Sequence, residues 1–206
     1  MNKQEELDNL KKKMLEDGNL PLKKGATNLV FGVGNPETKI LFIGEGPGYW
    51  EDQKAEPFVG NAGKLLDKLL QSIKLPREEV YITNVVHHRP PENRDPFPGE
   101  IEAYGKYLDE IIKIIDPKIV VTLGRFSMGK FLPEVKISAV HGKTFVVEFN
   151  GKKLTVIPMY HPAAALRAGQ VMSMIKEDFM KLPEIIKTTE KLKDEKTERP
   201  EQLELV

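Results

Sequence analysis

Apolar residues recur at Leu7, Leu10 and Met14, a helical spacing that predicts an amphipathic helix over residues 3–16, stopped by Asp17-Gly18 and Pro21. After a stretch punctuated by Gly, Pro and Asn, the run Lys39-Ile40-Leu41-Phe42-Ile43 breaks into Gly44-Glu45-Gly46-Pro47-Gly48, the pattern of a buried strand ending in a tight loop. Leu65, Leu66, Leu69, Leu70 and Ile73 then form one stripe of a helix over residues 62–73, and core packing explains that stripe. Val80 to Asn84 reads as a second strand, followed by a proline-rich connection through Pro98, a helix to about Ile115 and a third strand over Ile119 to Leu123. Strands alternating with helices predict a parallel sheet wrapped by helices. Thr144 to Phe149 and Lys152 to Ile157 flank Asn150-Gly151, a two-residue hairpin signal, and the second of these runs leads into Tyr160-His161-Pro162.

The length of 206 residues suits one substantial core with arms attached. The expected organisation is a domain over residues 1–187, with residues 1–28 as an N-terminal helical arm, and a charged tail over 188–206 that is either a frayed helix or a flexible end. Basic and acidic residues balance at 31 each, so a nucleic-acid role must rest on local clusters of charge and not on a global positive field. The absence of cysteine removes disulfides, thiolate metal sites and a cysteine nucleophile. The charged start lacks the apolar core of a signal peptide, and no apolar run approaches the ~20 residues of a membrane span, so the expectation is a cytoplasmic protein without membrane contact. A charged fraction of 30% together with the missing cysteines leans toward a thermophilic prokaryote.

In an open parallel sheet, reactive groups collect where the carboxyl ends of strands meet their loops. Three predicted strands end on unusual polar residues: Glu45 between two glycines, Asn84, and His161. Each has an ordinary reading, as a loop acid, a turn-former and a hydrogen-bonded core histidine. Brought together around one crevice, a carboxylate, an amide and an imidazole can activate water, read a polar edge and stabilise a leaving anion, which is a hydrolase's equipment. Gly44, Gly46 and Gly48 lack the spacing of a dinucleotide fingerprint and the Gly-Lys-Ser/Thr of a triphosphate loop. Arg89 and Arg94, on a loop stiffened by prolines, form a local basic patch for DNA phosphates, to which His87 and His88 can add.

The strings Gly44-Glu45-Gly46-Pro47-Gly48-Tyr49-Trp50-Glu51-Asp52, Pro57 to Gly63, Ile82 to Arg94, and His161-Pro162 resemble, in this order, the motifs of the family 4 uracil-DNA glycosylases. The resemblance covers about residues 29–185. It implies an α/β fold of three layers, α/β/α, around a mainly parallel sheet taken as four-stranded, and hydrolysis of the N-glycosidic bond of deoxyuridine in DNA. It also implies that Glu45 activates water, Phe58 stacks on uracil, Asn84 reads its edge and His161 faces its O2. Gly46, Glu51 and Asp52 fall in the same first motif and are expected at the uracil site. Leu166 resembles a wedge pressed into the duplex and Arg167 a phosphate or groove contact. The residue types suit the chemistry, since cleavage builds positive charge on the sugar and negative charge on the departing base. No lysine stands in the motifs to form a Schiff base, so the expected enzyme is monofunctional.

The family's iron–sulfur cluster rests on four cysteines, and here the matching positions carry Asp17, Leu20, His88 and Tyr104. Thiolates hold such clusters, so no cluster, no other metal and no cofactor is expected, and ordinary packing should join the N-terminal arm to the loop after Asn84. The expected partner is uracil-containing DNA, met by a monomer, with the tail ending Gln202-Leu203-Glu204-Leu205-Val206 either a solvated end or a docking peptide for a repair or replication protein. Two alternatives share these residues: a catalytically weak binding homologue, and a glycosylase preferring hypoxanthine or xanthine.

Overall fold

The computed structural model describes residues 1–197. Its scaffold is a six-stranded sheet made of β1 (Val33–Gly34), β2 (Ile40–Gly44), β3 (Tyr81–Asn84), β4 (Ile119–Leu123), β5 (Phe145–Phe149) and β6 (Lys152–Met159), in the order β1-β3-β2-β4-β6-β5. The four inner strands β3, β2, β4 and β6 run parallel, while β1 and β5 pair antiparallel at the two edges. The expectation of a four-stranded sheet therefore describes the parallel core alone. β1 is too short to leave a periodic signal, and β5 joins as the outer arm of the hairpin, where Asn150 and Gly151 both take positive φ as a tight two-residue turn requires.

Every residue of β2, β3 and β4 is buried, because helices cover both faces of the sheet. Side chains alternate between the faces along each strand. Leu41, Ile43, Tyr81, Val120 and Val156 point into one core, which is closed by Leu7, Leu10 and Met14 of α1 (Lys3–Glu16) and by Leu108, Ile111 and Ile115 of α4 (Pro98–Ile115). Ile40, Phe42, Ile82, Val121 and Ile157 point into the other. That core is closed by Leu65, Leu66, Leu69 and Leu70 of α3 (Asn61–Ser72) and by Ile175, Phe179 and Leu182 of α8 (Gly169–Thr197). The result is three layers. Helix α8 runs 29 residues, carries Pro183 inside it and extends to Thr197, into the segment from residue 188 expected as a frayed helix or a flexible end. The last residues, including Gln202 to Val206, lie outside the described ones.

Short helices fill the loops: α2 (Tyr49–Lys54), α5 (Arg125–Gly129), α6 (Ile137–Val140) and α7 (Pro162–Ala165). From β2 the chain steps outward to β3 through α3, then returns across β2 to β4 through α4, so the winding reverses at β2. Such a reversal parts the flanking loops and opens a crevice at the carboxyl ends of the strands. No helix among the described residues is long and apolar enough to cross a membrane.

Candidate active site

The crevice at the reversal is a cavity of about 360 Å³, lined by Glu45, Gly46, Phe58, Asn84 and His161 among others. Glu45 is the first residue beyond β2. Its carbonyl accepts from Val86 N–H at 3.1 Å, so the ladder between β2 and β3 continues one step past the strands and holds the backbone of the acid. Burial raises the Glu45 carboxyl to about 7, with Asp95 adding to the rise and Arg125 and Arg167 opposing it. A carboxylate poised near neutrality is suited to accept a proton.

Asn84 closes β3 in register with Gly44. It is buried, and its Oδ1 has no hydrogen-bond partner among the described residues. An unpaired carbonyl oxygen in a low-dielectric site is costly unless a donor completes it. A Cβ on Gly44 would lie 2.4 Å from that oxygen and 2.6 Å from the ring of Phe58, so only glycine lets the amide and the ring approach each other here. Phe58 takes φ 55°, a left-handed conformation, on the turn before α3. Gly63 of α3 packs directly beneath, where a Cβ would meet Phe58 O at 1.8 Å.

His161 is the N-cap of α7, and its Nδ1 accepts from Ala163 N–H at 3.1 Å. Burial lowers the imidazole to about 4, with Glu51 opposing and Arg167 adding to the shift. The ring is thus neutral at pH 7, and because Nδ1 is the acceptor its proton sits on Nε2. Its ring centroid lies 5.6 Å from that of Phe58 with planes 28° apart, a contact separation that leaves no slot for a third ring between them. Any flat ligand in this cavity therefore lies beside the pair and not between the two rings. Gly124, with φ 97°, backs the imidazole: a Cβ there would meet His161 Cβ at 3.1 Å.

The remaining expected residues divide. Gly46 lines the cavity with its Cα hydrogen side against Val86, where a Cβ would come within 2.7 Å of Cγ2. Glu51 reaches the wall, but its Oε1 accepts from Val59 N–H at 3.0 Å and Gly60 N–H at 2.8 Å, tying α2 to the turn that presents Phe58. Asp52 does not line the cavity. It is buried and accepts from Thr27 N–H at 2.9 Å and Asn28 N–H at 3.0 Å, so it anchors the N-terminal arm. Arg167 lines the mouth, and Leu166 beside it is 49% exposed, an apolar tip that packing leaves unused.

The basic patch is smaller than expected. His87 and His88 are buried and face the core instead of DNA. Burial lowers them to about 3 and about 4, so neither carries charge at pH 7. Arg94 lines the cavity but forks onto Glu100 at 2.8 and 2.6 Å, which answers its charge. Arg89 donates to Asn93 Oδ1 at 2.7 Å and forms no ion pair with a carboxylate among the described residues. Sequence reasoning missed Arg125, which forms an ion pair with Asp95 and acts electrostatically on Glu45. The signal was there, since Gly124-Arg125 follows a predicted strand end as Glu45 and His161 do.

An α/β sheet that gathers an ionisable acid, an unpaired amide oxygen and a neutral imidazole at its switch-point crevice has the architecture of a ligand-binding α/β enzyme. The chain belongs to the uracil DNA glycosylase superfamily, whose family model matches residues 31–182. It is 47% identical over 186 residues to the Type-4 uracil-DNA glycosylase of Archaeoglobus fulgidus, covering 88% of this chain and 94% of that one. The proteins of the same name from Sulfurisphaera tokodaii (43% identity, 87% of this chain, 84% of that one) and Thermotoga maritima (42%, 81% and 88%) are similar over nearly the same extent.

The residues at the four positions matching the family's cluster ligands do not fit an iron–sulfur cluster. The chain has no thiolate, and the donors present are taken up in hydrogen bonds to other side chains. Asp17 accepts from Tyr107 Oη at 2.7 Å and Lys106 Nζ at 2.9 Å, which holds its carboxyl well below the usual range. His88 Nδ1 lies 2.7 Å from Tyr104 Oη, and Leu20 packs into the core. Among the described residues, no group of three His, Cys, Asp or Glu side chains is placed to hold a metal ion.

Proposed function

We propose that this protein hydrolyses the N-glycosidic bond of deoxyuridine in DNA, releasing uracil and leaving an abasic site. The observation that carries the reading is the convergence of Glu45, Asn84 and His161 on one cavity, with the Asn84 carbonyl oxygen unpaired. Uracil offers a ring N–H to that oxygen and a carbonyl to the amide's N–H, whereas cytosine presents an acceptor and a donor in the opposite places, leaving both partners unpaired. The base reaches the cavity by leaving the stack and lying on Phe58.

In the reaction, the bond between the sugar C1′ and uracil N1 breaks with its electron pair going to the base. A water oxygen bonds to C1′ and Glu45 accepts the water's proton. The carboxylate also stabilises positive charge on the sugar. The neutral His161 donates its Nε2–H to the uracil O2 as charge accumulates there, and keeps its proton. Helix α7 is too short to matter as a dipole, so the imidazole is the donor that counts. Gly46 backbone shapes the wall, and Glu51 positions Phe58. Arg89, Arg167 and Leu166 at the rim hold and part the DNA, with Arg94 in reserve behind its Glu100 partner. The acting unit in this reading is a monomer, and none of these steps calls for a metal or cofactor.

The test is excision from oligonucleotides carrying uracil, hypoxanthine, xanthine or a thymine mismatch, with chelator present. Wild-type protein should release uracil, while Asn84→Ala and Glu45→Gln should each slow it by about 10²–10⁴-fold without unfolding the protein at the assay temperature. Undiminished excision by both variants would misplace the site, and release of a purine in preference to uracil would reassign the substrate.

A further inference from the structure

The three aromatic side chains that are exposed among the described residues all adjoin the cavity wall: Tyr49 at 48%, Trp50 at 57% and Phe97 at 58% exposure. Tyr49 and Trp50 stand between Gly48 and Glu51, which both line the cavity, and Phe97 follows Pro96, which also lines it. Core packing accounts for none of these exposed faces. Tyr49 and Trp50 meet edge to face, with centroids 5.2 Å apart and planes at 78°, so the edge of one ring braces the other while both side chains stay about half exposed. The Arg89 guanidinium lies 5.2 Å over the Tyr49 ring, and Arg94 lies 3.8 Å over Phe97. The turn at Gly60 supports the indole from below, since a Cβ there would lie 3.7 Å from Trp50 Cδ1.

Flat apolar rings beside a cation, continuous with a cavity for one base, match the chemistry of an unpaired polynucleotide strand. Bases stack on aromatic faces whatever their identity, and an arginine follows the phosphates. We propose that Tyr49, Trp50 and Arg89 form a subsite for the unpaired nucleotides next to the extruded base, with a base stacked on Trp50, so that single-stranded DNA is bound in its own right. This inference rests on the glycosylase reading and deepens it. A duplex gains less from the shelf, because its neighbouring bases are already stacked and paired.

Trp50 is the chain's single tryptophan, so its fluorescence reports on this surface alone. Titrating the full-length protein with undamaged single-stranded oligothymidylate should quench that emission, and a duplex of the same length should quench it less. In single-turnover excision, Trp50→Ala and Tyr49→Ala should each lower the ratio of single-strand to duplex affinity about ten-fold, and Trp50→Phe should recover most of the loss. Equal losses on both substrates, no recovery with phenylalanine, or an indole indifferent to the oligonucleotide would overturn the proposal. Should the wild-type protein excise uracil from neither substrate, the glycosylase reading fails, and the fluorescence titration of the wild type and of Tyr49→Ala, which keeps the indole, still decides whether the shelf binds single strands.

Discussion

At the residue level the site is governed by how burial treats each ionisable group. Glu45 and His161 share one cavity and move in the directions that keep each uncharged, the carboxyl up to about 7 and the imidazole down to about 4. Above pH 7 the pair is carboxylate and neutral imidazole, the combination that accepts a proton from water and donates a hydrogen bond to a leaving base. Below pH 7 the acid protonates first. The kcat/KM for uracil release should therefore rise with pH through about 7, falling about ten-fold for each unit below it, and the limb should vanish in the slow Glu45→Gln variant. A profile flat from pH 5 to 8 would show that Glu45 is not the base. The same shift has a stability side: a carboxyl whose folded value exceeds its unfolded one favours the fold at low pH and loses that contribution as pH rises through the folded value. Glu45→Gln should accordingly raise the melting temperature at pH 8 and leave it unchanged near pH 4.

Elements are joined here by side-chain ties that strand and helix patterns do not reveal. Asp52 of α2 holds the backbone at Thr27 and Asn28, Glu51 holds the turn before α3, and Thr83 of β3 donates to Phe31 O at 2.7 Å. The pair His88 and Tyr104 connects the loop after β3 to α4, and the Tyr104 oxygen also receives the Leu22 backbone N–H. At the positions where the family places cluster thiolates, a hydrogen-bonded clasp thus joins the arm, the loop and α4. Tyr104→Phe keeps the ring and removes the oxygen, leaving two buried groups without a partner. It should destabilise the protein by about 1–3 kcal/mol in urea unfolding. A change within a few tenths of a kcal/mol would mean that packing alone joins these parts.

On the scale of the whole molecule, acid stability follows from histidine burial. Three of the four histidines, His87, His88 and His161, are lowered to about 3, 4 and 4, so between about pH 4 and 6.5 the unfolded chain takes up three protons that the native state refuses. Glu45 opposes them with one proton held by the native state. The balance of two protons predicts that stability falls on acidification by at most about 2–3 kcal/mol per pH unit near pH 5.5. Urea midpoints at pH 5, 6 and 7 would show it, and constant midpoints would place these histidines in contact with water.

Much of this architecture was legible in the chain itself. The runs at 40–43, 81–84 and 119–123 are continuous and apolar because both faces of each strand are covered, and the stripes of α1 and α3 follow from their one-sided burial. Strand ends bearing Glu45, Asn84 and His161 pointed to the crevice, since the winding of a parallel sheet brings its carboxyl ends to one side. What sequence could not decide was where longer side chains find their partners. Asp52 and Glu51 are neighbours in one motif, yet the ~100° between consecutive residues of α2 sends one to the N-terminal arm and the other to the Phe58 turn. Arg94 and Arg89 stand on one loop, yet Glu100 neutralises only the first. His88 looks like a surface cation in the string His87-His88-Arg89, and only its distance to Tyr104 shows that it is a buried, uncharged tie. Periodicity is local and survives in one dimension; partnership and desolvation depend on residues far apart in the chain, and those are brought together only by the fold.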